Sequence, residues 1–531
     1  MTTSARRASP PVPAITAELT ILENIGTAWT KASVVGRAGG RWRIVTQAAQ
    51  PSAWGEDALL DALSQRLRPL VDPRLVADLA GIVRDATRIV CRSPRRPARL
   101  VVVSVGVAAP AVAALTADAE AAGWQVAARL PADDRRPIPE RLHDLTDVDP
   151  DAWLLVTGPR PGGRDALPET LAVVTAARAG GRAPVLWCGP GEQQPQVERM
   201  FERGVVIVLA DAAGVIADAL SRLFRELSEV DDLRHLAPVA FGRAVRSLAR
   251  STGLEVAGVD IGATWTAWAS ADRWGMGVGG FRALEPADAA PIGNPVDESS
   301  AADGVLNQRA RPGSLPETSD EMRVAQALVS DAVAQTRGTE APAVDLVIGA
   351  GRGLGATPHP ADAAQALLDG LRPSGISQLA VDASDVLAPL GSLPERDMEE
   401  AIEVLHDDLL VPLGSAVVSR GGRSGQIAMR AWVRRPGWPA IGPVGVRVGG
   451  LQTMPLPRGA TAEIEVELEP GVQLGTASRE RRWRATVTGG PLGVILDARD
   501  DPIRLPEREA DQRLVLAGWR DALRHESRVV A

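Results

Sequence analysis

Apolar residues at 19–22 and 32–35 flank the stretch Glu23-Asn24-Ile25-Gly26-Thr27-Ala28-Trp29-Thr30-Lys31. The pattern predicts two strands joined by a tight small-residue turn. It returns in the second half of the chain, where Asp260-Ile261-Gly262-Ala263-Thr264-Trp265-Thr266 lies between apolar runs at 254–259 and 267–271. In both copies the turn leaves through Trp-Thr, and its glycine lets the backbone approach an anion closely. The two copies lie too far apart for a solenoid period and suggest a duplicated half.

Alternation at 41–48 adds a third strand to the first hairpin. A helix is expected at 57–67, and a second from the stripe Leu75, Val76, Leu79, Ile82, Val83, Ala86, Ile89 and Val90. After the breaker-rich 92–97, short apolar strands at 100–105, 124–127, 153–157, 185–188 and 205–209 alternate with helical segments, which predicts a parallel sheet covered on both faces. The loop 158–165 reads as a strand-to-helix turn, because its glycine spacing matches no phosphate fingerprint; a ligand at the helix start is the alternative.

The second half opens with a helix at 241–251, the second hairpin and a third run at 274–278. Residues 284–318 show no apolar period and are expected to form a mobile loop. A helix at 320–336 and a strand at 344–348 lead to Gly349-Ala350-Gly351-Arg352-Gly353-Leu354-Gly355, followed by a helix at 362–371 and a strand at 378–382. Short alternating runs at 426–433, 445–448, 462–468, 483–488 and 492–497 then predict a β-rich module closed by a helix at 507–524. The domains expected are a loose tail at 1–16, a first half at 17–95, an inserted α/β domain at 96–232, a second half at 233–410 and the β-rich module at 411–531.

Composition narrows the function classes. A formal net charge of -8 with no basic tract argues against nucleic acid as a partner. The basic start lacks an apolar core behind it, and the longest weakly apolar run, 100–117, is broken by Ser104, Gly106 and Pro110, so neither signal peptide nor membrane span is expected. Cys91 and Cys188 are too few for a disulfide framework, which points to a reducing, cytoplasmic setting. His143, His235, His359, His406 and His525 lack metal-ligand spacing. Lys31 is the only lysine, and it falls inside the first hairpin.

Two Asp/Asn-x-Gly hairpins, a later glycine-rich loop and a domain inserted into the first half together resemble the actin-like ATPase superfamily. That resemblance implies two ribonuclease H-like halves closing on ATP and Mg²⁺. Gly26, Thr27 and Ala28 would line one phosphate loop and Gly262, Ala263 and Thr264 the other. Lys31 would meet the β/γ-phosphates. Gly349, Gly351 and Gly353 would abut adenosine. Asp260, with Asn24 at the matching place, would hold the metal, and Asp260 would also be the catalytic carboxylate.

The order of motifs along nearly the whole chain is more specific. It includes Leu-Leu-Val-Thr-Gly-Pro-Arg-Pro-Gly-Gly-Arg-Asp at 154–165, Val-Asp-Ile-Gly-Ala-Thr-Trp-Thr at 259–266 and Val-Ile-Gly-Ala-Gly-Arg-Gly-Leu-Gly-Ala at 347–356. Leu-Leu-Asp-Gly-Leu-Arg-Pro-Ser-Gly-Ile at 367–376 and Gly-Gly-Pro-Leu-Gly-Val-Ile-Leu-Asp-Ala-Arg at 489–499 complete it. The chain resembles the glutamate mutase accessory proteins, called GlmL or MutL and unrelated to the mismatch-repair protein. The resemblance implies a chaperone-like, nucleotide-dependent partner of an adenosylcobalamin-dependent carbon-skeleton mutase.

Two departures bear on hydrolysis. Asn24 stands where the superfamily usually has aspartate, and an amide is a poorer metal ligand. Glu23 does not replace it, since adjacent strand residues face opposite sides. Arg352 interrupts a usual Gly-Gly pair. Binding with weak or no turnover is therefore expected, and a pseudo-ATPase scaffold or a small-molecule kinase are the alternatives. Plainer readings stand beside these: Lys31 as a surface lysine, Asp260 as a turn cap, Trp29 and Trp265 as core packing, and the stretch 497–502 as a solvated turn.

Overall fold

The computed structural model describes residues 18–524 except 95–97, 132, 133, 135, 147, 159–162, 180, 182, 202–204, 210–212, 229–231, 284–328, 331, 335–342, 356, 358, 476–479 and 500–502. The tail at 1–16, the loop at 284–318, half of the loop at 158–165 and most of the helix expected at 320–336 thus lie outside the described residues. The chain divides into two compact units, one of residues 94–233 with 279–283 and the other of the remainder.

The smaller unit is a parallel sheet in the order Trp124–Pro131, Ala98–Val105, Ala152–Thr157, Val185–Cys188 and Val206–Leu209. Its central strands carry continuous buried apolar runs, Leu100–Val103 and Ala152–Val156, as a parallel sheet covered by helices requires. Trp153, Trp187, Leu155 and Leu171 fill its core.

In the larger unit, Leu19–Ile25, Trp29–Ala38 and Arg41–Pro51 form an antiparallel meander, and Thr87–Arg92 pairs in parallel with the first of them. The helix Glu56–Leu67 buries Leu59, Leu60, Leu63 and Leu67. That spacing places one side of it over the meander's apolar face. The stripe expected as one helix from Leu75 to Val90 is instead a 3₁₀ segment, Pro73–Asp78, a short helix, Leu79–Asp85, and the strand Thr87–Arg92. Ala86 is already extended, and the β-branched Ile89-Val90 pair finds strand partners in Leu22 and Glu23, so long-range pairing overrides the helical period.

A second sheet begins in the same way. Val256–Ile261 and Trp265–Ala271 form a hairpin, and Leu346–Ala350 pairs in parallel with the first strand. The expected run at 274–278 becomes a strand only from Gly277, because Asp272 folds the preceding residues into a turn by accepting the Trp274 and Met276 N–H groups. The sheet continues through Gly375–Val381, Val411–Gly421, Val494–Asp497 and Leu451–Met454. A separate antiparallel sheet orders Ile441–Arg447, Ile427–Arg434, Thr461–Leu468 and Arg482–Thr488. The closing helix, Glu509–Arg524, puts Leu516, Trp519 and Leu523 into the same core as Val259 and Leu367.

The stretch expected as a solvated turn is buried where it is described. Asp497 and Arg499 are 0% exposed. Asp497 pairs with Arg372 at 2.6 Å and Arg499 at 2.8 Å, and Arg499 also reaches Asp369 at 2.6 Å. Among the described residues no helix is long and apolar enough to cross a membrane.

Candidate functional site

Both hairpin turns close by the same bond. Gly26 N–H donates to the Trp29 carbonyl at 3.0 Å, and Gly262 N–H to that of Trp265 at 2.9 Å. A Cβ at Gly26 would lie 2.6 Å from the Trp29 oxygen, and one at Gly262 3.2 Å from the Trp265 oxygen, so a side chain would crowd the closing carbonyl. The tips are Thr27-Ala28 and Ala263-Thr264. Ser52 supports the first: its hydroxyl donates to the Gly26 carbonyl at 2.8 Å and its N–H to the Ala28 carbonyl at 3.0 Å. The two tips meet, with the Thr27 and Thr264 hydroxyls 3.0 Å apart.

The hairpin register makes Asn24 and Asp260 equivalent. Asn24 lies opposite Lys31 and beside Cys91; Asp260 lies opposite Ala267 and beside Ala350. The lysine thus belongs to one hairpin and the carboxylate to the other. The Asn24 Oδ1 is buried without a hydrogen-bond partner among the described residues. Glu23 faces away from it and pairs with Arg88, which also holds Glu56. Strand alternation keeps Glu23 from replacing Asn24.

Lys31 and Ser33, two residues apart on one strand face, both reach the turn after Gly375–Val381. Lys31 Nζ lies 2.5 Å from Asp385 Oδ2, and the Ser33 hydroxyl donates to the Ser384 carbonyl at 2.8 Å. Asp382 shapes this turn by accepting the N–H groups of Val386 at 3.1 Å and Leu387 at 2.9 Å. Burial, with the Asp385 charge adding to it, pushes the Asp382 carboxyl up to about 7. Asp260 is pushed up to about 6 by burial and then by Asp385, with Lys31 opposing. Burial also raises the Cys91 thiol, helped by Asp260, Asp385 and Glu23. Three carboxylates therefore gather about one lysine.

The three glycines of 349–353 do different things. Gly349 packs on Leu354 and Leu367, and Gly353 on Val329 and Ile261. Gly351, at φ +77, is the one beside the site: a Cβ there would collide with the Asp260 carboxylate and the Ile261 carbonyl. Arg352 lies over the Trp29 ring at 3.8 Å and ties this loop to the first hairpin. Trp265 is core, 4% exposed, as its repeat position suggests, whereas Trp29 is only half-buried and carries that cation.

Asp382 and Asp385 are the residues that sequence reasoning missed. Their signal is an aspartate closing the strand expected at 378–382 and a second one three residues on, where the observed strand already ends at Val381. Among the described residues no cluster of three or more His, Cys, Asp or Glu side chains is placed to hold a metal ion. Asp260, with Asn24 at the equivalent place of the other hairpin, suits only a cation such as Mg²⁺, which takes one or two protein oxygens and completes its shell with phosphates and water.

Residues 20–212 match the model of the family described as MutL protein, which bears out the resemblance over the first hairpin, Lys31 and most of the smaller unit. No curated protein matches the chain. Among solved structures it is similar to nucleotide-free acetone carboxylase, an enzyme of ATP-dependent acetone carboxylation. The identity is 11%, covering 82% of this chain and 81% of that one, with a TM-score of 0.27. A PPX-GPPA enzyme from Aquifex aeolicus shares 11% identity over 62% of this chain and 67% of its own, with a TM-score of 0.15. A carbohydrate kinase from Novosphingobium aromaticivorans shares 12% over 76% and 94%, with a TM-score of 0.21.

Proposed function

We propose that this chain, matched over residues 20–212 by the MutL family, is a nucleotide-binding accessory protein of the actin-like ATPase type. In this reading it takes ATP as its magnesium complex and serves, chaperone-like, an adenosylcobalamin-dependent carbon-skeleton mutase such as glutamate mutase. Residues 17–95 and 233–410 are then two actin-like halves. The observation that carries the reading is the convergence of two turns with the same closing bond, touching through Thr27 and Thr264 next to the only lysine of the chain.

The chemistry follows from the parts. Gly26 and Gly262 close the two turns with their own N–H groups, which leaves the tips Thr27-Ala28 and Ala263-Thr264 to offer N–H donors to phosphate oxygens. Lys31 adds a point charge at the β/γ-phosphates. Asp260, with Asn24 at the matching position of the other hairpin, would hold Mg²⁺, which neutralises phosphate charge when bound. Gly351 leaves the Asp260 carboxylate room, and Gly349 and Gly353 let the loop pack closely behind the adenosine side. ATP binding between the halves would separate the threonine hydroxyls and shift the balance between open and closed arrangements, and that cycle of opening and closing would supply work to a partner.

Isothermal calorimetry with Mg-ATP tests this. The wild-type protein binds, and Lys31→Ala weakens binding by at least about tenfold, a loss of about 1.4 kcal/mol. Equal affinity in the two proteins contradicts the role of Lys31. A second reading, a scaffold that binds nucleotide without turnover, is favoured by the amide at Asn24 and the Arg352–Trp29 stack. ATP turnover that is abolished in Asp260→Ala excludes it.

A further inference from the structure

We infer that Asp385 is a resident stand-in for phosphate at Lys31, so that a polyphosphate binds by taking the lysine over from it. The inference rests on the nucleotide reading and concerns how that same site is regulated.

The Lys31–Asp385 pair, 2.5 Å apart, is largely withdrawn from water, its side chains being 15% and 9% exposed. Asp385 is aimed at the lysine by a backbone conformation that side-chain-bearing residues seldom adopt, φ +51. The turn is held there from two sides. Ser33, on the lysine's own strand, donates to the Ser384 carbonyl, and Asp382 holds the next two amides, of Val386 and Leu387.

Beyond Asp385 the segment runs into the short helix Leu387–Gly391. It is seated against the helix Ala237–Thr252, where Arg243 donates to the Gly391 carbonyl. Since Lys31 is the only lysine, no other ammonium can serve the phosphates. The nearby Arg352 guanidinium already lies on Trp29.

An incoming polyphosphate brings several negative charges to a place holding Asp260, Asp382 and Asp385. Like charges crowded on one ammonium repel, so the carboxylate and the phosphate compete for Lys31. The exchange swaps one ion pair for another and changes no covalent bond. Apparent affinity is then reduced by the fraction of molecules in which Asp385 holds the lysine.

Asp385→Asn keeps the size of the side chain and tolerates a positive φ. Asp385→Gly suits that φ better still and serves as the second variant. Mg-ATP and inorganic tripolyphosphate are titrated into the full chain by calorimetry. Both variants are expected to bind both ligands about tenfold more tightly than wild type. The gain is expected to vanish when Lys31→Ala is added. Unchanged or weaker binding in the variants, with wild-type binding that depends on Lys31, overturns the inference and leaves the nucleotide reading intact. Absence of Mg-ATP binding by wild type and both variants overturns the nucleotide reading, and the inference falls with it.

Discussion

Gly351 shows how narrowly one residue can be constrained. Its positive φ and the Asp260 carboxylate against it leave no room for a methyl group. Gly351→Ala is expected to cost about 1–3 kcal/mol of stability, read from urea midpoints, and to weaken nucleotide binding. Asp382 is constrained by charge instead. Its carboxyl sits near 7 in the folded protein, against about 3.9 unfolded. The folded state therefore holds a proton that the unfolded chain has released. The stabilising contribution is complete below about pH 4 and is lost as pH rises through about 7. Asp382→Asn should flatten that fall, measured as melting temperature between pH 4 and 8; an unaltered slope would contradict the assignment. Lys31 could be singled out from sequence because its spacing from Gly26 is local. Asp385 could not, because its importance arises from the approach of two segments far apart in sequence.

At the scale of elements, the strings at 367–376 and 489–499 contain a buried charge cluster. Arg372, Asp497 and Arg499 are almost wholly withdrawn from water, and Arg499 lies over Trp519 at 4.8 Å. The two guanidinium groups and the hydrogen bonds from Arg499 hold the Asp497 carboxyl far below its usual range despite its burial. Its stabilisation is thus present above about pH 4 and lost only in strong acid. Asp497→Ala leaves two arginines without that partner and is expected to destabilise the protein by about 3–5 kcal/mol, seen as a lowered urea midpoint. A change below about 1 kcal/mol would mean that the cluster relaxes freely. The alternating strands of this region were legible from their period. The cluster was not, because Asp-Ala-Arg beside Asp-Asp-Pro has the composition of a surface turn, and only the closing of strand Val494–Asp497 against Val411–Gly421 buries it. The helical stripe at 75–90 misled for the related reason that pairing partners, absent from local sequence, decide between helix and strand.

For the molecule as a whole, the two hairpins, the parallel insert and the β-rich end were all visible as rhythms. The continuity of one sheet from the second hairpin to residue 497 was not, since register is set in space. Leu413, Ala416, Val418, Ile495 and Trp519 belong to the same core as Val259 and Leu367. A chain ending at residue 410 should consequently fail to give a cooperative thermal transition; a sharp transition near the full-length temperature would show that core to be dispensable. In the proposed function a nucleotide lies between the two turns. This is tested most directly by a crystal structure of the full chain with magnesium and a non-hydrolysable ATP analogue. Phosphates are expected on the backbone N–H groups of 27–28 and 263–264 and on Lys31, with Thr27 and Thr264 parted. A nucleotide bound elsewhere, with the two threonines still joined, would contradict it.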